Sequence, residues 1–216
     1  MSAAQRRRNG FTLVEVLVAL VVMAIMSLMA WQGVDGIVRS RESNQVRLER
    51  TLRLETVIAQ WEQDLASLQE TDGTVPALAC DGQSVRLTRR TDGGLQVVIW
   101  SLRPEDRGAN IWQRWAGPPV TTTHTLQDSW LRTQQFQGNE IGQLRALVGV
   151  EQWQVYFFQG NAWANCQSTG NLLPTAASAP IGAQRAALPA GVRLVLGFAP
   201  GSGLVGNLTR DTLIAP

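Results

Sequence analysis

The chain has 216 residues, 44% of them hydrophobic, with 19 basic and 17 acidic side chains. Every basic residue is Arg, and three of them fall in the first ten positions, so the rest of the chain carries 16 basic against 17 acidic groups. A near-neutral body of this kind implies no basic nucleic-acid surface, and a single His with two Cys does not easily build a zinc centre.

The first element is a basic cluster, Arg6-Arg7-Arg8, followed by Asn9-Gly10 and then an apolar run from Phe11 to Trp31. Within that run Glu15 is the only charged residue. Twenty-one residues at about 1.5 Å each reach roughly 30 Å, the thickness of a bilayer's hydrocarbon core. The basic start predicts a cytoplasmic N-terminus with everything after Trp31 outside, although Arg39, Arg41, Arg47 and Arg50 follow the span closely. A secretory signal peptide fits less well, because its core is shorter and no small-x-small cleavage site follows.

A carboxylate in such a run costs on the order of 2–3 kcal/mol and is a functional residue by default. Cutting the bond between Gly10 and Phe11 frees an amine at Phe11. A helix starting there places Glu15 one turn further on the same face, near the positive end of the helix dipole. The amine, from the same or a neighbouring copy, then supplies a counter-charge.

Gly10-Phe11-Thr12-Leu13-Val14-Glu15 after a short basic leader resembles the N-terminal signature of the type IV pilin and type II secretion pseudopilin superfamily. The resemblance implies cleavage after Gly10 by the prepilin peptidase and methylation of the Phe11 amine. It also implies use of Glu15 to register one subunit against the next in a filament. The corresponding division is residues 1–10 as leader, 11–34 as membrane and filament-core helix, 35–72 as an amphipathic second half of the helix, and 73–216 as a periplasmic head.

Gln32 to Gly36 follows, where two glycines each lower helix propensity by about 1 kcal/mol. Gly33 to Gly36 is therefore either a soft point within one helix or a turn at the membrane exit. From Ile37 to about Glu70 apolar residues recur at spacings of three and four, through Leu48, Leu52, Leu54, Val57, Ile58, Trp61, Leu65 and Leu68. Arg47, Arg50, Arg53, Glu55, Glu62 and Asp64 lie between them. This reads as one stripe packed on the following domain.

The head reads as mainly antiparallel β, making the fold class α+β. Val85 to Ile99 forms a hairpin about Thr91-Asp92-Gly93-Gly94, and Asn110 to Trp115 pairs next. Gln152 to Gln159 is predicted to be buried on both faces and to turn at Gly160-Asn161. Val192 to Phe198 forms another strand, and Leu208 to Ile214 a short last one. Gly117 to Glu140 reads as loops with a short helix near Trp130, and Thr169 to Pro189 as an irregular Ala/Ser/Pro connection. Trp100, Trp112, Trp115, Trp153 and Trp163 lie in or beside strands, which favours packing over ligand stacking.

Cys80 and Cys166 both fall outside the membrane, where an even pair reads as a disulfide, with two separate buried thiols as the other reading. His124 sits in a Thr-rich stretch and reads as an exposed loop residue. With no catalytic, metal or cofactor motif, the chain reads as a non-enzyme.

Scattered head segments narrow the resemblance. Trp61-Glu62-Gln63-Asp64-Leu65, Val85-Arg86-Leu87-Thr88-Arg89, Trp112-Gln113-Arg114-Trp115, Leu144 to Phe158 and Leu188 to Arg193 are similar, in order, to the J-type minor pseudopilin of type II secretion systems. That resemblance implies a subunit at or near the tip of a periplasmic pseudopilus. Its implied partners are the I-type and K-type minor pseudopilins, the major pseudopilin, the prepilin peptidase and the inner membrane. A minor pilin of a type IV pilus or DNA-uptake system shares every N-terminal feature, and a periplasmic domain on an uncleaved anchor is the reading from another class.

Overall fold

The computed structural model describes residues 11–104, 110–136, 138, 140–167 and 188–214. The leader with Gly10 and almost all of the Ala/Ser/Pro connection lie outside the described residues. Helix α1 runs Leu13–Ala66, 54 residues, unbroken through Gly33 and Gly36, so no exit turn forms there. Its apolar start is long enough and apolar enough to cross a membrane, and no described residue covers it. The helix ends before Glu70 because the next residues pair as extended chain. Gln69 N–H donates to the Thr88 carbonyl at 2.9 Å, and Arg90 N–H donates to the Ser67 carbonyl at 2.8 Å.

Among the described residues the head forms two antiparallel sheets. The first holds β1 (Leu78–Cys80), β2 (Ser84–Thr91), β3 (Gly94–Pro104), β4 (Asn110–Ala116) and β5 (Gln143–Val148), in that order. The second has the order β7-β6-β8-β9, from β6 (Val150–Gln159), β7 (Ala162–Asn165), β8 (Gly191–Phe198) and β9 (Asn207–Leu213). Helix α2 (Thr123–Gln134) lies between β4 and β5 in sequence. The β2–β3 hairpin closes with Thr91 opposite Gly94, whose φ of 120° suits a residue with no side chain. Gly160 and Asn161, both at positive φ, make the two-residue turn from β6 to β7.

Packing explains which strands are buried. Ile58, Trp61 and Leu65 of α1 share one core with Val85, Leu87, Val98, Trp100 and Trp112 of the first sheet and with Val155, Phe157, Val192, Leu194 and Leu196 of the second. Leu126 and Trp130 of α2 cover Val97 on the opposite side of the first sheet. The strand buried on both faces is therefore β3, in the middle of a covered sheet, and not β6 as expected. In β6 only alternate residues such as Val155 and Phe157 are buried, whereas Gln154 is exposed and Tyr156 and Phe158 are half-buried.

The helical stripe needs a similar correction. Cover begins at Leu54, while Leu48 and Leu52 are exposed. At about 100° per residue Leu52 points roughly opposite Trp61, so spacing alone merged two faces into one. Of the tryptophans, Trp61, Trp100, Trp112 and Trp130 are buried and Trp115, Trp153 and Trp163 are half-buried.

Cys80 and Cys166 form a disulfide across 86 residues, with Cα atoms 5.8 Å apart. The bond joins the edge strand β1 of one sheet to the end of the edge strand β7 of the other. Closing so long a loop removes entropy from the unfolded chain worth about 4 kcal/mol. Guanidinium unfolding of detergent-solubilised protein is expected to show a clear drop in midpoint for Cys166→Ala, or after reduction. An unchanged midpoint would contradict a structural role for the bond.

Candidate functional site

At the start of α1, Thr12 and Glu15 cap the helix reciprocally. The Glu15 carboxylate accepts from the Thr12 N–H at 2.8 Å and from its hydroxyl at 2.9 Å, and Glu15 N–H donates back to that hydroxyl at 3.3 Å. This is a capping box, in which residues three apart satisfy each other's orphan groups. Thr12-x-x-Glu15 signals it in the sequence, and the reading built on charge alone passed over it. Phe11 precedes the cap, 89% exposed, and not within the first helical turn as expected.

The cap provides hydrogen bonds but no opposite charge. From Phe11 to Val38 the only ionisable side chains are Glu15 and Asp35, and the first cation is Arg39. Arg39 is already hydrogen-bonded to Asp35, one turn before it. From Phe11 to Val38, then, no side chain of the span supplies a cation for Glu15.

In the head, the buried polar centre is Asp64, with no exposed surface. Its carboxylate accepts from Arg114 Nε at 2.7 Å and Nη2 at 2.9 Å, and from Arg89 Nη1 at 2.7 Å. Trp100 Nε1 at 2.8 Å and Gln60 Nε2 at 3.0 Å complete the set. These donors come from β2, β3, β4 and α1 itself. Asp64 thus belongs to the packed face of the helix, not to the solvated residues among which its charge first placed it. The signal was phase: Val57, Trp61, Asp64 and Leu68 recur at spacings of four, three and four.

Two further contacts tie α1 to strands. Arg53 donates through Nε to the Ala146 carbonyl at 3.0 Å and through Nη2 to the Arg145 carbonyl at 2.7 Å. The β4–β5 register shifts there, so Arg53 satisfies carbonyls at an irregularity of the sheet. Glu62 accepts from Arg210 of β9, which raises the guanidinium's pKa. On the outer face of the second sheet Arg193 makes a two-pronged pair with Asp211, both contacts 2.7 Å, and lies 4.2 Å over the Trp163 ring. Hydrogen bonding from Arg193 holds the Asp211 carboxyl below its ordinary value, against a smaller opposing effect of burial.

His124 is exposed, as expected, but stands in the first turn of α2 rather than in a loop, beside Asp128 with Nδ1 to Oδ2 at 3.2 Å. Among the described residues no cluster of His, Cys, Asp and Glu could hold a metal ion.

Comparison with known proteins gives the same direction. The family profile described as the prokaryotic N-terminal methylation motif matches residues 5–31, the stretch that contains Gly10, the cap and the start of the bare helix. Type II secretion system protein J of Vibrio cholerae serotype O1 (strain ATCC 39315 / El Tor Inaba N16961) is 28% identical over 196 residues, covering 81% of each chain. Over most of its length the chain is similar to a J-type pseudopilin.

In this pseudopilin-like chain the two parts of the site do different work. The cap organises the end that carries the methylation motif, and Asp64 fixes the last turns of α1 against three strands. Asp64→Asn leaves the buried guanidinium of Arg114 and the half-buried one of Arg89 without their anion, so a loss of roughly 3–5 kcal/mol is expected in urea unfolding. Glu62→Gln, at a partly exposed pair, is expected to cost under about 1 kcal/mol. Equal effects of the two variants would contradict the assignment of Asp64 as the central contact.

Proposed function

We propose that this J-like pseudopilin is a processed, membrane-inserted minor subunit of a type II secretion pseudopilus, acting in its assembly or at its tip. The observation that carries the reading is the coincidence, within residues 5–31, of the methylation motif and a capped apolar helix that no described residue covers. Residues 1–10 act as the leader removed by the prepilin peptidase after Gly10, residues 11–34 as the span and filament core, residues 35–72 as the second part of the helical region, and residues 73–216 as a periplasmic head.

Chemistry supports the sequence of events. Among the described residues Glu15 accepts only from the neutral donors of Thr12, and the span contains no Arg or Lys. Cleavage produces a cation at Phe11, the nearest one available within the span. In the membrane that cation and Glu15 offset each other's desolvation, and pairing between neighbouring copies sets the stagger of one helix on the next. The apolar side chains of the span then exchange lipid for neighbouring helices. Function on this reading is structural, calling for no catalytic residue, cofactor or nucleic acid. Its partners are the I-type and K-type minor pseudopilins and the major pseudopilin, with the N-terminus cytoplasmic and the head periplasmic.

Glu15→Leu tests the reading. The variant is expected to insert in the membrane normally, yet to co-purify with the other minor pseudopilins at least ten-fold less and to fail to restore secretion in a strain lacking the wild-type chain. Thr12→Ala, which removes a cap worth about 1 kcal/mol, is expected to show a milder defect. Full secretion with Glu15→Leu would contradict the charge-pairing account.

A further inference from the structure

An open sheet edge offers unpaired N–H and C=O groups to any other strand, so folded proteins usually blunt it. Three of the four sheet edges among the described residues are blunted. Strand β1 has only three residues and ends in the disulfide, β7 has four and also runs into it, and β5 carries an irregularity whose carbonyls are taken by Arg53. Strand β9 is different: its seven residues contain no Pro and pair with β8 in unbroken register. The charges able to repel an incoming strand are already matched, Arg210 by Glu62 and Asp211 by Arg193.

Register shows which groups are open. Ile214 N–H donates to the Ala190 carbonyl and Phe198 N–H donates to the Gly206 carbonyl. In an antiparallel ladder both main-chain groups of a residue point the same way and alternate along the strand, so Leu208, Arg210 and Thr212 face β8. The N–H and C=O groups of Thr209, Asp211 and Leu213 point outward, with no partner among the described residues. They span about 14 Å. Leu213, 86% exposed, stands in a cross-strand row with Gly191, Phe158 and Trp163.

We infer that β9 is a pairing edge that accepts one strand from the head of a neighbouring filament subunit, extending the second sheet between subunits. Main-chain hydrogen bonds to Thr209, Asp211 and Leu213 supply the affinity, and an apolar side chain opposite Leu213, continuing the row with Phe158 and Trp163, supplies selectivity. The inference rests on the reading of the chain as a filament subunit.

The test uses the full-length chain in detergent, alone and co-produced with the I-type and K-type minor pseudopilins of the same system. Amide exchange in a peptide covering residues 207–214 is expected to slow at least ten-fold in the complex. Thr209→Pro removes an N–H that faces outward and spares the β8 ladder. It is expected to lower partner capture at least ten-fold, whereas Thr209→Val captures as wild type does. A complex that leaves exchange at residues 207–214 unchanged overturns the edge assignment alone, and so does wild-type capture by Thr209→Pro. If that variant melts early, the exchange comparison on the wild-type chain decides. A wild-type chain that forms no complex with either subunit contradicts the filament reading itself.

Discussion

The head depends on one buried carboxylate. Asp64 stands on a helix yet is held by residues from β2, β3 and β4, so a single side chain fixes α1 against three consecutive strands. An apolar face could slide or rotate by a turn with modest loss, since Leu and Trp side chains pack in many ways. Charge-assisted hydrogen bonds do not tolerate such a shift, because the buried guanidinium of Arg114 would be left dry and unpaired. Around this point Trp61, Trp100 and Trp112 pack with ring centroids 4.4–5.7 Å apart. The aromatic cluster supplies buried area, and Asp64 determines which arrangement of it forms.

The polar chemistry at the start of α1 solves a different problem. An apolar helix in lipid needs neither a carboxylate nor a specific end. Here Thr12 and Glu15 satisfy each other, and the charge is left for a cation that the span does not contain. Glu15 thus has its hydrogen bonds met locally and its charge unmatched within the span. Burial of Asp64 serves folding of one chain, whereas the apolar start of α1 finds no cover within it.

Much of this was legible in the residues. The apolar run, the hairpin at Asp92-Gly93, the turn at Gly160-Asn161 and the strand from Val192 carry local signals, namely length, turn chemistry and period two, and all appear in the structure. What misled was tertiary. Leu48 and Leu52 match the spacing of the packed stripe but point away from it. Whether β3 or β6 is covered on both faces depends on where α2 docks, which neither strand encodes. Strand β5 was missed because its irregularity near Ala146 breaks the alternation that identifies a strand. The Thr12–Glu15 cap and the phase of Asp64 were written in the sequence and were outweighed by the more familiar reading of a carboxylate as a surface or pairing charge.

The central claim is that the chain works as a processed filament subunit, and the mature N-terminus tests it most directly. Because the chain has no Lys, the only amine after processing is that of Phe11, and the first Arg beyond it is Arg39, so trypsin releases residues 11–39 as one peptide. Mass spectrometry of protein taken from membranes of a secreting strain is predicted to find that peptide beginning at Phe11 and one methyl group heavier than its sequence. Mature protein that still begins at Met1 or Ser2, with the bond after Gly10 intact, would contradict the account.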